Sequence, residues 1–197
     1  MRKLLLISFI LLGCGGDDGN PTQMDAATQG SDASADSSGG GGTGLNCQDY
    51  CTAILARCTG AVAQYSSMAN CVDSCSTFEV GTAGAMMGNT LACRVTHVDL
   101  AAASPTAHCG HAGPSGGTVC GATLCEGFCS IVTAKCPTQF PTSGGCATIC
   151  SGFSSVPPYS TASSGDSAEC RLYHATMAAT APGSHCSHTV DQSTVCQ

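Results

Sequence analysis

The chain has no tryptophan and few basic residues: 6 Lys and Arg stand against 13 Asp and Glu, for a formal net charge of −7. So acidic a chain offers no electrostatic footprint for nucleic acid or for anionic headgroups, which excludes a nucleic-acid partner. No two cysteines are spaced C-x-x-C, which removes a thioredoxin-type redox pair, a zinc ribbon and any covalent c-type haem. No apolar run approaches the roughly 20 residues that a membrane-spanning helix needs. The acids of the cysteine-rich part are sparse and form no recurrent pair, and no nucleophile elbow is read in a strand-to-helix setting. The expectation is a protein that is not an enzyme.

What is abundant is cysteine. There are 17 in 197 residues, a density that points to disulfides formed outside the cytosol. Cys14 stands apart, 33 residues before Cys47, and closes a segment that starts Met1-Arg2-Lys3 and runs through a mainly apolar stretch from Leu4 to Leu12. Residues 1–13 therefore read as a signal peptide. The junction Leu11-Leu12-Gly13-Cys14 resembles the lipobox of bacterial lipoproteins. That resemblance implies cleavage before Cys14, lipidation of Cys14 by a diacylglyceryl group with further acylation such as palmitoylation, and anchoring in a bacterial membrane. With Gly15 following, it places the protein at the outer membrane, facing the periplasm or the cell surface. Residues 14–46 are then the lipidated cysteine and a Gly/Ser/Asp tether too poor in apolar side chains to fold. Such a tether spans roughly 30 Å.

Setting Cys14 aside leaves an even number. Cysteines 47, 51, 58, 71, 75, 93, 109 and 120 recur as 125, 129, 136, 146, 150, 170, 186 and 196, at offsets of 75 to 78 residues. This divides the chain into module 47–121 and module 122–197. Other positions match too, Tyr50 with Phe128, Arg57 with Lys135 and Arg94 with Arg171. The repeat resembles the cysteine-rich tandem repeats of uncharacterised bacterial lipoproteins, a likeness that implies no activity.

The spacing predicts a small, mainly α, disulfide-rich fold with about three short helices per module. Cys47, Cys51 and Cys58 fall on one helical stripe, as do Cys125, Cys129 and Cys136; Cys71 with Cys75, and Cys146 with Cys150, share a face of a second helix. A third helix is expected from Thr90 to Ala103 and from Ser167 to Ala179. Asn89 and Asp166 are the expected N-caps, Asp166 with Glu169 has capping-box spacing, and Pro105 and Pro182 are the stops. The remainder of each module, rich in Gly, Ser and Thr, reads as irregular loop held by two cysteines. Two C-x3-C helices in succession resemble disulfide-bonded α-hairpins. That resemblance implies Cys47 with Cys75, Cys51 with Cys71, Cys125 with Cys150 and Cys129 with Cys146; eight cysteines otherwise allow 105 connectivities. It assigns no partners to Cys58, Cys93, Cys109, Cys120, Cys136, Cys170, Cys186 and Cys196. A module of this size has a core that is marginal alone, and disulfides worth about 2 to 4 kcal/mol each offset the deficit.

All six histidines occupy matched places: His97 with His174, His108 with His185, His111 with His188. A helical histidine plus two more, three apart on a pinned loop, could give Zn²⁺ or Cu²⁺ three imidazoles with one position open, one metal per module. The alternative is structural, with His97 on the face of Cys93 and Leu100 and pointing into the core. Arg94 and Arg171 read as carbonyl caps or as partners of a local acid. Function is thus read first as a lipid-anchored surface interaction protein, meeting a protein or polysaccharide at the cell envelope. The second reading is a metal-binding or electron-transfer protein, and the third a pH-responsive surface built on six histidines.

Overall fold

Five helices begin on a short polar side chain that accepts a hydrogen bond from a backbone amide of the first turn. The computed structural model describes residues 43–155, 159, 161 and 163–197. Among these the fold is helical, with no strand beyond a single bridge between Glu79 and Thr90. Asn46 caps α1 (Cys47–Arg57), Ser67 caps α2 (Met68–Cys75) and Thr90 caps α3 (Leu91–Ala101). Helix α4 (Pro105–Ala112) opens on a proline, whose missing N–H would have had no partner there. The set then recurs as α5 (Leu124–Lys135), α6 (Ser143–Cys150) capped by Thr142, α7 (Ala168–Ala178) capped by Ser167, and α8 (Pro182–His185). A 3₁₀ turn at Cys186–His188 continues α8. The mainly α, disulfide-rich fold expected from the spacing is what the chain forms.

Two expectations are corrected. The third-helix caps sit one residue later than Asn89 and Asp166, because those side chains are engaged elsewhere. Asn89 Oδ1 accepts from Arg94 at 2.8 Å and Asp166 pairs with Arg171 at 2.9 Å. The capping box does not form: Ser167 caps the Cys170 amide, and Glu169 turns away to accept from the Ser155 hydroxyl. The stretches expected to be irregular loop contain α4 and α8, started by Pro105 and Pro182 and pinned by a cysteine each.

Eight disulfides connect the sixteen cysteines from Cys47 onward. Cys47–Cys75 and Cys51–Cys71 staple α1 to α2, and Cys125–Cys150 and Cys129–Cys146 staple α5 to α6. Cys58–Cys109 bolts the end of α1 to α4, and Cys93–Cys120 ties α3 to the turn beyond it. Cys136–Cys186 and Cys170–Cys196 repeat these two. The signal-peptide and lipidation sites, Cys14 included, lie outside the described residues.

On α1 Tyr50, Cys51 and Ile54 are buried, with Cys47 partly buried and Cys58 buried at the C-cap, and α3 is buried along most of its length. Tyr50 meets Tyr65 edge-on and donates to the Ala112 carbonyl at 2.6 Å; Phe128 meets Phe140 in the same edge-on manner without hydroxyls. Arg94 and Arg171 are also fully buried. Arg94 donates to the carbonyls of Gly113 (3.1 Å) and Thr90 (3.2 Å) and lies over the Phe78 ring. Arg171 donates to Val190, Ser167 and Asp191 carbonyls and lies over Phe153. Each arginine thus knits the third helix to the chain that follows the fourth, and burial pushes the Arg94 guanidinium below its ordinary value.

The described residues form one compact unit. Helix α5 passes so close to the Pro114 carbonyl that only a glycine, Gly127, fits. Elsewhere Asn70 of α2 donates to the Met177 sulfur at 2.7 Å and accepts from Thr180 at 2.8 Å. The start of the described residues is held as well: the Thr43 amide and hydroxyl donate to Asp99, which pairs with Arg57 at 2.7 Å.

Candidate metal centre

Helix α3 brings His97 one turn beyond Cys93, and α4 carries His108 and His111 one turn apart on one face. The packing of α3 on α4 closes the three rings on one another. His97 Nδ1 lies 3.1 Å from His108 Nδ1, and the ring centroids of His97 and His111 are 4.9 Å apart. The second set repeats this closely: His174 Nδ1 is 3.1 Å from His185 Nδ1 and 3.3 Å from His188 Nδ1. In each set one nitrogen from each ring falls within 4.8 Å of the others. The sequence pattern placed two of each three on a loop; the structure places them on helix or 3₁₀ turn. His97 is buried beside the Cys93–Cys120 disulfide, as the reading that it points into the core expects, while Leu100, one turn on, is 38 % exposed.

The tautomers follow from partners. His97 Nε2 lies 3.2 Å from the Met86 carbonyl and His174 Nε2 lies 3.2 Å from the Ser163 carbonyl. A carbonyl only accepts, so both Nε2 atoms carry hydrogen, and the Nδ1 of each neutral ring is a bare lone pair turned towards the other two imidazoles. A ring held by its far N–H in this way is the usual support of a metal-bound histidine. Burial, then the His97 and His108 rings, pushes the His111 pKa below the ordinary histidine value. Burial also lowers His174, against the opposing Ser163 bond and with His188 and His185 adding to it; His185 is lowered by burial and by His188. Lowered values keep these rings neutral and able to ligate.

Hydrogen bonding alone leaves the triads incomplete. His111 Nδ1 is buried with no partner among the described residues. In the second set a single lone pair on His174 is approached by two ring nitrogens. Disulfide sulfurs also lie near, Cys93 and Cys120 beside His97 and Cys170 and Cys196 beside His174. Bonded to each other, they are not thiolates and cannot serve as ordinary ligands. The run Gly113-Pro114-Ser115-Gly116-Gly117 has the spacing of a nucleophile elbow, but no strand precedes it, and the Ser115 hydroxyl caps the Gly117 amide in a 3₁₀ turn.

Residues 42–123 match the model of the BfoA family C-terminal domain, a segment that holds the whole first triad. Bifonsecin B biosynthesis cluster protein A of Aspergillus brasiliensis is 39 % identical over 64 residues, which cover 32 % of this chain and 22 % of that protein. Aurasperone B biosynthesis cluster protein A of Aspergillus niger is likewise 39 % identical over 64 residues, covering 21 % of its length. The chain thus spans about a fifth of the length of the curated relatives it matches. No solved structure matches.

These findings correct the lipoprotein reading. The likeness of the cysteine-rich part runs to fungal biosynthesis-cluster proteins and not to bacterial lipoproteins, so the lipobox at Leu11 to Cys14, the lipid anchor and the outer-membrane location are withdrawn. A short apolar run that ends on a small residue and a cysteine is a pattern of low information. Among the described residues no helix is long and apolar enough to cross a membrane.

Proposed function

We propose that the chain is a metal-binding protein with two three-histidine centres, His97/His108/His111 and His174/His185/His188, each taking one Zn²⁺ or Cu²⁺. The observation that carries this is the convergence of ring nitrogens, 3.1 Å between His97 and His108 with His111 within 4.8 Å, and 3.1 and 3.3 Å from His174 to His185 and His188, around an Nδ1 left bare by the carbonyl bond at Nε2. Two imidazoles on a tetrahedral zinc at about 2.0 to 2.1 Å from the metal stand about 3.3 Å apart, whereas a square-planar copper brings neighbours to about 2.9 Å. The separations of 3.1 to 3.3 Å are within reach of both geometries. Three protein ligands leave a fourth position for water or an exogenous donor.

The matched proteins are named for biosynthesis clusters, and a metal centre with an open position is compatible with a role in such a setting, as carrier, scaffold or participant. Interaction with a protein or polysaccharide is the second reading, supported by the rigid disulfide frame. The test is metal analysis of the refolded chain. Two equivalents of zinc per chain are expected, one after His97→Ala or His174→Ala, and none after both. Zinc content unchanged by these substitutions, or no retained metal, overturns the reading.

A further inference from the structure

A cleft of about 360 Å³ lies between the two helix sets. Its size falls at the lower end of the range for small-molecule sites, room for a one- or two-ring compound. Val62, Ala107 and Leu124 supply apolar wall. What distinguishes the cleft is its polar inventory. Of the buried side-chain atoms without a hydrogen-bond partner among the described residues, Gln64 Oε1, His111 Nδ1, Tyr159 Oη and Glu169 Oε2 belong to residues that line it, the Tyr159 hydroxyl lying near that of Thr176. The Gln64, Tyr159 and Glu169 side chains are at most 5 % exposed. Their other polar atoms are in use: the Gln64 amide nitrogen donates to the Val62 carbonyl at 3.0 Å, and Glu169 Oε1 accepts from Ser155 at 2.7 Å. Buried polar atoms left unmade each cost about 1 to 3 kcal/mol, so their concentration in one small cleft calls for donors from outside the chain.

We propose that this cleft binds a small amine, with the nitrogen received by Gln64 Oε1, Tyr159 Oη and Glu169 Oε2 and an apolar body lying against Val62, Ala107 and Leu124. A primary ammonium carries three donors and no acceptor, the complement of two obligate acceptor oxygens and a phenol that can also accept. A carboxylate beside the amine adds a charge-assisted bond. No lysine or arginine lines the cleft, so an anionic ligand would meet Glu169 unscreened. His111 also lines the cleft, and the inference does not depend on metal.

The experiment is titration of the metal-free, disulfide-intact full chain with phenethylamine, 2-phenylethanol and phenylacetate, followed by calorimetry and ligand-observed NMR. Phenethylamine should bind saturably, at least about tenfold more tightly than the alcohol, and phenylacetate should not bind, as one charge-assisted bond predicts. Glu169→Gln should erase the preference for amine over alcohol. Gly110→Leu should abolish binding by filling the cleft: a Cβ at Gly110 meets nothing within 4 Å, and leucine suits helix α4 better than glycine. Contacts from the phenethylamine ring to the Val62 and Leu124 methyls locate the site in the unaltered chain. The inference is overturned if phenethylamine does not saturate at millimolar concentration, if the alcohol binds equally well, or if the ring contacts other methyls. Because metal is absent throughout, zinc content and amine affinity fail or succeed separately.

Discussion

Replacing Cys58 and Cys109 with alanine removes the bolt between α1 and the helix that carries His108 and His111. The bridge closes 51 residues of chain. The neighbouring bridges shorten the free path to roughly 40 residues, and the logarithmic dependence of loop entropy on length turns that into about 4 kcal/mol of stability at 25 °C. Cys47–Cys75 makes the contrast, because the Cys51–Cys71 bridge nested inside it leaves only about 8 further residues to close, worth roughly 2.5 kcal/mol by the same relation. Urea unfolding followed by circular dichroism should therefore rank Cys58→Ala/Cys109→Ala below Cys47→Ala/Cys75→Ala by about 1.5 kcal/mol. Zinc competition adds a second readout. Loss of the bolt should weaken only the first centre, since Cys186, the equivalent residue beside His185, keeps its own bridge to Cys136. If the hairpin variant proves the less stable of the two, or if both centres weaken together, the bolt does not position α4 in the way described.

Three further outcomes follow from particular contacts. His111, His174 and His185 have lowered pKa values in the fold, so the unfolded chain binds more protons than the folded one below about pH 6.5; stability of the metal-free chain is full above that point and falls as acid is added, levelling once the folded rings protonate too. A urea midpoint that is the same at about pH 7.5 and pH 5.5 would contradict this. Arg94→Met removes the guanidinium bonds to Asn89 Oδ1 and to the Gly113 and Thr90 carbonyls, each of which keeps a single backbone N–H donor, and should cost about 3 kcal/mol by denaturant unfolding, whereas Asp166→Ala removes an exposed partner and should cost less than about 1 kcal/mol. Gly127→Ala drives a methyl into the Pro114 carbonyl; backbone cannot swing aside as a side chain can, so a loss of roughly 2 kcal/mol or more is expected in thermal unfolding.

The α-hairpins were legible because a disulfide restricts both ends of the spacing: Cys47 and Cys51 must share a face, and so must Cys71 and Cys75. The caps were legible only to within one residue. Asn89-Thr90 and Asp166-Ser167 each offer two good caps in succession, and the choice between them is made by a buried arginine that reaches back from the following turn. Helix α4 was illegible for a different reason. Its sequence PTAHCGHA has little apolar period and an internal glycine, so its helicity comes from Pro105 at the first position and from the Cys58–Cys109 bolt rather than from any local pattern. The cleft could not be read at all, since Gln64, Tyr159 and Glu169 belong to different segments and only the folded chain brings them to one surface.

The two triads were visible as matched letters, but what makes them candidate sites is the packing of the third helix on the fourth. A histidine on a disulfide-poor scaffold of this size could relax away from its neighbours and hydrogen-bond to water. Here Cys109 lies between His108 and His111, and Cys186 between His185 and His188, so the residue that bolts the helix down is the one that separates the two prospective ligands. The bare Nδ1 of the third ring is aimed by a carbonyl from yet another segment, Met86 in one set and Ser163 in the other. Stability and ligand geometry are therefore supplied by the same bonds. On this view the disulfides do more than offset a small core: reduction should release bound zinc as the fold is lost, and a chain that keeps its zinc after full reduction would show that the histidines need no such frame.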